Sequence, residues 1–349
     1  MTVAVIGAGF FGVSTALKLD QHGYDVDLYD QADDILTAAS WGNQWRLHRG
    51  YHYPRAEDTA RHCRDSAEQF EQEYPEAVLT DADHYYCIAD DPQTKTTGEE
   101  YLAFCDRLGL DYEQQPAPHV NHDNIDLSVT VPEHRVDPHA LKASCWSRLQ
   151  HSDVSCHFGT RIDSLESLPH DYIVVATYAG INDLYDHDSN LAGTYKYELV
   201  EKPLVSLPPE YAETSVVVMD GPYMCFDPYG QTGNILLGNV VHSIHDTIVN
   251  NEPSFDAEYD TLLDSGLVRD PPLTKFEKFQ TSAEPFIPGL TDANHLGSLY
   301  TIRTVLADVE DTDERPTIVQ RDGNVFKLFS GKLAAALPAA DQICDELNS

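Results

Sequence analysis

The sequence predicts an α/β chain: a Rossmann-type nucleotide-binding domain interleaved with an α+β domain built on an antiparallel sheet. Two glycine-marked strand–helix junctions and a change of texture between them predict it. At the first junction, the apolar run Val3 to Ile6 enters Gly7-Ala8-Gly9-Phe10-Phe11-Gly12, and Phe11, Val13, Ala16, Leu17 and Leu19 then recur at helical spacing. At the second, Asn324 to Phe329 reads as a strand, Ser330-Gly331-Lys332 breaks it, and Leu333 to Leu347 reads as a helix. Between them, from 195 to 305, short alternating strands dominate (195–205, 215–219, 235–241 and 296–304), with a helix expected near 256–265.

The first junction is a strand, a tight turn and a helix suited to a dinucleotide pyrophosphate. Gly7 makes the sharp turn, Gly9 lets phosphates approach the backbone, and Gly12 lets the helix pack on the strand. Free N–H groups at the helix start face the anion, and the helix dipole adds roughly 0.3–1 kcal/mol. Asp25 to Asp30 reads as a second strand ending in an acid. Asp30 lies 18 residues after Gly12, close to the ~20 expected of a ribose-binding carboxylate. The motif alone does not separate NAD from FAD, and a structural βαβ unit carries the same turn.

Other elements follow from pattern. Residues 58–74 read as a helix with Ala60, Cys63, Ala67, Phe70 and Tyr74 on one face. A strand is expected at 84–89 and a helix at 99–109. Asp137-Pro138 is a helix start, Asp as N-cap and Pro at the first helical position, running to about Leu149. A strand at 154–158 follows, then Tyr172 to Thr177, a continuous apolar run of the parallel-sheet type.

Composition sets the surroundings. The 349 residues suffice for two domains. Asp and Glu number 58 against 22 Lys and Arg, a net charge of −36, spread along the chain. With 19 Tyr, 12 Phe and 3 Trp, this is a folded protein with an acidic shell rather than a disordered one. Such a shell suits high salt, where the Debye length falls to about 3 Å at 1 M, so a halophilic source is expected. It excludes nucleic acid as a partner. No stretch approaches ~18 unbroken apolar residues, and the first apolar run reads as a strand rather than a signal peptide, so neither a membrane span nor export is expected. Seven cysteines without a CxxC spacing fit a reducing, cytoplasmic setting without a zinc site. A small molecule is the expected partner, and a homo-oligomer is open to the chain.

Four stretches resemble the D-amino-acid oxidase-like family of FAD-dependent oxidoreductases, with glycine oxidase, sarcosine oxidase and L-2-hydroxyglutarate oxidase branches. They are Gly7 to Gly12; Ala39 to Tyr53; Val136-Asp137-Pro138 through Val174-Val175-Ala176-Thr177; and Phe329-Ser330-Gly331-Lys332. Of these, Ala39 to Tyr53 is most similar to the L-2-hydroxyglutarate oxidase branch. The resemblance implies FAD, bound in a GR2-like domain of residues 1–80, 132–194 and 306–349, with a substrate domain of 81–131 and 195–305. It implies cofactor contacts from Gly7, Gly9, Phe10, Phe11, Gly12, Asp30 and Gln31. In the Ala39 to Tyr53 stretch, which runs beside the flavin in such families, it implies contacts from Ser40, Asn43, Gln44, Arg46, Leu47 and His48. A strand near Arg161-Ile162 offers backbone to the adenine, with Thr177 and Tyr178 beyond it. Arg303, Gly331, Lys332 and Leu333 complete the set at the flavin ring. Three departures mark a divergent branch: Asp30 where Glu is usual, Tyr178 in place of a glycine, and Ser-Gly-Lys in place of a glycine-rich turn.

The chemistry implied is oxidation of a C–H beside an amine or hydroxyl of a small polar substrate, by hydride transfer to flavin N5, with oxygen or another acceptor reoxidising the flavin. Lys332 places a cation where reduction adds charge; the alternative is an exposed lysine. His48 and His52 are separated by Gly50, which argues against a helical metal pair; either can act as a base, or both can be structural. Arg46 and Arg49 either clamp an anion or pair with a local acid. Arg303 and Tyr300, on one late strand, are expected to hold a substrate carboxylate. Arg315 is expected in an ion pair near the cofactor, and Tyr223 and Tyr229 either line the substrate face or pack in the sheet. Two rival functions remain at this point: a non-redox flavin enzyme resembling UDP-galactopyranose mutase, and a nucleotide-binding protein without turnover.

Overall fold

A computed structural model describes residues 1–186, 188–307 and 313–348. The first strand, Thr2–Ile6, is central to a six-stranded sheet. Asp25–Tyr29 and Tyr172–Val175 pair with it in parallel, one on each edge. Ser155–His157 extends the sheet beyond Asp25–Tyr29, and Val325–Phe329 extends it beyond Tyr172–Val175. Ile318–Asp322 closes that edge antiparallel. The helices Phe10–Gln21 and Ala336–Asn348 pack together beside the sheet. This is the doubly wound architecture the two junctions predict.

The larger sheet has nine strands. Its spine is Tyr195–Ser206, bordered along its length by Asn294–Leu306. Its other edge is shared: Ile244–Asn250 pairs with the first half and Ile235–Asn239 with Leu204 and Val205. The sheet continues through Met224–Pro228, Thr214–Met219, Asp83–Ala89, Ile125–Val131 and Glu113–Gln114. The antiparallel expectation holds with one correction: Asp83–Ala89 and Thr214–Met219 run parallel. A small third sheet joins Arg46–Leu47, His134–Val136 and Val78–Leu79.

The helices Glu57–Glu73, Gly98–Leu108 and Pro138–Gln150 lie where periodicity places them. Asp137 caps the last by accepting from the His139 and Ala140 N–H groups. The helix expected near 256–265 does not form. Only a 3-10 turn, Ala257–Tyr259, is present, and Leu263 instead bridges to Tyr300. Asp264 and Gly266, with φ of 53° and 69°, end any helix there. The strand at 235–241 stops at Asn239, whose side chain accepts from the Val241 and His242 N–H groups in a turn. Residues 161–162 are irregular backbone, not a strand; the preceding strand has already ended at His157, and Gly159 turns the chain at φ 66°.

Candidate functional site

At the first junction the backbone approaches as closely as glycine permits. Gly7 has φ 102°, and a Cβ there would lie 2.6 Å from the Ala176 carbonyl oxygen. The Phe10 N–H donates to Ser40 Oγ at 2.9 Å, so the helix start is capped from a distant loop. Asp30, at the end of its strand, accepts from the Ala8 N–H at 2.6 Å and the Ala32 N–H at 2.8 Å. Asp30 and the glycine turn are therefore in contact. Gln31 is exposed and accepts from Arg161, and Ile162 packs with Tyr29 against the apolar sheet face.

Tyr178 takes φ 51°, the left-handed conformation that favours glycine. Its hydroxyl holds the Thr304 backbone, accepting from the N–H at 3.0 Å and donating to the carbonyl at 3.3 Å. Thr177 Oγ1 is buried without a hydrogen-bond partner. At the second junction, a Cβ on Gly331 would lie 2.6 Å from both the Arg315 carbonyl and Thr317 Oγ1. Glycine is needed there because the 315–317 segment crosses directly against it. The expected C-terminal helix begins with a 3-10 turn, Leu333–Ala335.

The segment Ala39 to Tyr53 divides. Asn43 forms a turn, donating to the Ser40 carbonyl and accepting from the Trp45 N–H. Gln44 bridges Asp227 and Lys202, with Lys202 Nζ 3.0 Å from its Oε1. Arg46 is buried on Asp227 at 2.5 Å, beside Glu133 at 3.7 Å, and Arg49 pairs with Glu71. Both arginines thus have local acids, the latter of the two roles open to them. Leu47, by contrast, is in the strand that carries His48 toward the C-terminal junction. Arg46, Leu47, His48, Cys63, Lys332 and Leu333 are among the residues lining one small cavity.

His48, His52, Tyr53 and Lys332 form the centre of this cluster. The His48 and His52 rings are 5.4 Å apart, and Lys332 Nζ lies 4.9 Å from the Tyr53 ring centroid. His48 Nδ1, His52 Nδ1 and Tyr53 OH are buried without hydrogen-bond partners among the described residues. Burial, reinforced by Lys332, pushes His48 well below its ordinary value and His52 down to about 3. Burial, reinforced by Arg315, pushes Lys332 down to about 8. Arg315 itself pairs with Asp313 at 2.5 Å, as its context predicts.

The late strand separates its two expected site residues. Arg303 pairs with Glu198 at 2.5 Å, with its side chain 43% exposed. Tyr300 is buried elsewhere, against Glu201 at 3.2 Å and the Leu273 carbonyl. Three positions along a strand put side chains on opposite faces, so Tyr300 cannot share Arg303's surroundings. Glu201 gathers further donors from His245, Thr274, the Lys275 N–H and Ser298. Tyr223 bonds Thr94 and Tyr229 is buried, consistent with sheet packing. Glu133, Asp227 and Lys202 carry no signal in the sequence. Glu133 lies in a link between strands and the other two on strands, all remote in the chain from the Ala39 to Tyr53 segment that they meet.

The doubly wound sheet, with buried polar atoms clustered at its C-terminal junction, has the architecture of the FAD-binding oxidoreductase fold. A family profile described as "DAO: FAD dependent oxidoreductase" matches residues 2–323, and the chain belongs to that family. It is an FAD-dependent oxidoreductase, which sets aside the mutase and non-catalytic alternatives. The chain is 24% identical to the FAD-dependent monooxygenase FPY4 of Fusarium mangiferae over 98% of its length and 90% of that protein. It is 23% identical to the FAD-dependent monooxygenase kojA of Aspergillus flavus, over 100% and 86%. Among solved structures, L-alpha-glycerophosphate oxidase from Mycoplasma pneumoniae aligns with TM-score 0.72 at 16% identity, covering 100% of this chain and 95% of that one. Glycine oxidase from Geobacillus kaustophilus aligns with TM-score 0.71 at 14% identity, covering 98% and 93%. These two likenesses establish the fold. No helix among the described residues is long and apolar enough to cross a membrane.

Proposed function

We propose that His48 takes the proton from the substrate's amine or hydroxyl while the neighbouring carbon loses its hydride. Gly7 to Gly12 would hold the pyrophosphate of FAD, Asp30 its ribose, and His48, His52, Gly331, Lys332 and Leu333 its flavin ring. Two features support that fit: glycines at which a side chain would strike backbone, and a cluster of buried polar atoms with no hydrogen-bond partner among the described residues. The polar cluster carries the proposal. When bound, FAD supplies the electron sink for the hydride.

Desolvation keeps His48 neutral at neutral pH, so its ring can accept a proton. Lys332 brings positive charge to the same place with no carboxylate in ion-pair contact among the described residues. Arg303, half-exposed and fixed by Glu198, is the group we assign to a substrate anion. The division into cofactor segments (1–80, 132–194, 306–349) and substrate segments (81–131, 195–305) is supported by sheet membership. The six- and three-stranded sheets draw their strands from the first set, and the nine-stranded sheet draws from the other, overlapping only at Leu306. A reducing, cytoplasmic setting is supported by seven unpaired cysteines.

The test is an anaerobic screen of small amines and hydroxy acids against FAD-reconstituted protein. The proposal expects a yellow protein bleached by substrate; a colourless protein that cannot be reconstituted overturns it. The names of the fungal relatives raise a monooxygenase reading. Isotopically labelled dioxygen separates the two, because the proposal expects no label in the product.

A further inference from the structure

We propose that Glu133 is a positioning residue for His48, fixing the ring with its proton on Nδ1. The inference rests on reading His48 as the proton acceptor. Arg46 and Leu47 pair antiparallel with Arg135 and His134. One step further in that register brings His48 opposite Glu133, in the link between Ile125–Val131 and His134–Val136.

The carboxylate is wholly buried. Oε1 accepts from Tyr86 OH at 2.7 Å, and Oε2 accepts from the Arg49 N–H at 2.9 Å. The adjacent cation, Arg46, stands off at 3.7 Å because its guanidinium is committed to Asp227. Glu133 thus has Arg46 nearby but no cation at hydrogen-bond distance, and burial pushes its carboxyl above the usual carboxylate range. His48 Nδ1, buried and unbonded, lies 3.7 Å from Glu133 Oε1. That is within about 1 Å of hydrogen-bond length. An unbonded ring nitrogen and a carboxylate oxygen with acceptor capacity left face one another across one register.

The pairing gives His48 a defined job. With Nδ1–H donating to Glu133, the Nε2 lone pair is free to receive the substrate's N–H or O–H proton. That bond breaks, the adjacent carbon gives up its hydride to the cofactor, and C=N or C=O forms. The imidazolium left behind is balanced by the Glu133 carboxylate, the role an acid plays behind a catalytic histidine. Lys332, His52, Arg46 and His84 face His48 and oppose its protonation, and Tyr53 packs edge-on against its ring. Arg46, Tyr86 and Asp227 face Glu133, and Tyr51, Tyr53, Tyr101 and Cys63 also feel its charge.

The test uses FAD-loaded protein with nitrogen-labelled histidine, reading the His48 tautomer by long-range proton–nitrogen correlation, with His48→Gln to assign the signal. The expected result is an Nδ1–H tautomer in the wild type and in Tyr86→Phe, lost in Glu133→Gln and regained in Glu133→Asp. The acid limb of kcat/KM in Glu133→Gln moves to lower pH, and kcat/KM falls about tenfold or more. An Nε2–H tautomer in the wild type, or an unchanged tautomer in Glu133→Gln, overturns the proposal; the wild-type spectrum decides even where the variant does not fold. The underlying reading fails separately: if His48→Gln keeps kcat/KM, His48 is not the acceptor, whatever its tautomer.

Discussion

Gly12 packs so closely on Gly7 that a Cβ on Gly12 would lie 1.8 Å from the Gly7 carbonyl oxygen. The obstacle is backbone, so no side-chain rotation relieves it. Gly12→Ala is expected to cost about 3 kcal/mol or more through overpacking and to abolish FAD retention. Urea melts and the flavin-to-protein absorbance ratio check it. A variant that keeps its flavin would contradict the packing described.

Lys332 couples the site to pH. Its folded-state value of about 8 lies below the ordinary value of 10.5. Between those values the unfolded chain binds more protons, so the stability of the FAD-free protein rises with pH across that window. Lys202, pushed by burial to about 8, adds a further rise there. Lys332→Met should flatten part of this rise. At pH 7 it should stabilise the FAD-free protein by on the order of 1 kcal/mol, while lowering turnover. Thermal melts from pH 7 to about 10.5, with turnover at pH 7, check both halves.

Tyr300 belongs to the Glu201 network. Its hydroxyl donates toward Glu201 and the Leu273 carbonyl. Tyr300→Phe should therefore lose about 1–2 kcal/mol of stability and leave kcat/KM within about twofold, since no transition-state contact is removed. A large loss in kcat/KM at unchanged stability would restore Tyr300 to the catalytic set.

The acidic shell predicts dependence on salt. At net −36, self-repulsion in the folded state is relieved as the Debye length shortens from about 10 Å at 0.1 M to about 3 Å at 1 M. The urea midpoint should rise with sodium chloride over that range. A midpoint independent of salt would remove the halophilic reading.

The first junction was legible because its signals are local. Three glycines, an apolar strand and an acid at fixed distance are dictated by one βαβ unit. The Asp137 cap and the final strand–glycine–helix turn were legible for the same reason. The helix expected near 256–265 failed because residues 263–268 found partners on the strand Asn294–Leu306, a tertiary override that composition does not show. Tyr300 and Arg303 were grouped because they are close in sequence, and the two-residue period of the strand parts them. The fates of Arg46 and Gln44 depended on Asp227, more than 180 residues away in sequence. Glu133 was hidden in a turn whose meaning emerges only once His48 stands across from it.

His48 as the proton acceptor beside the flavin is the central claim. The measurement that tests it most directly is the anaerobic rate of flavin reduction by substrate, followed against pH in the wild type and in His48→Gln. The predicted result is a flavin spectrum unchanged by the substitution and a reduction rate lowered on the order of 10²-fold or more, with the wild type's rise with pH lost. Reduction in His48→Gln within about threefold of the wild type, with the same pH profile, would contradict it.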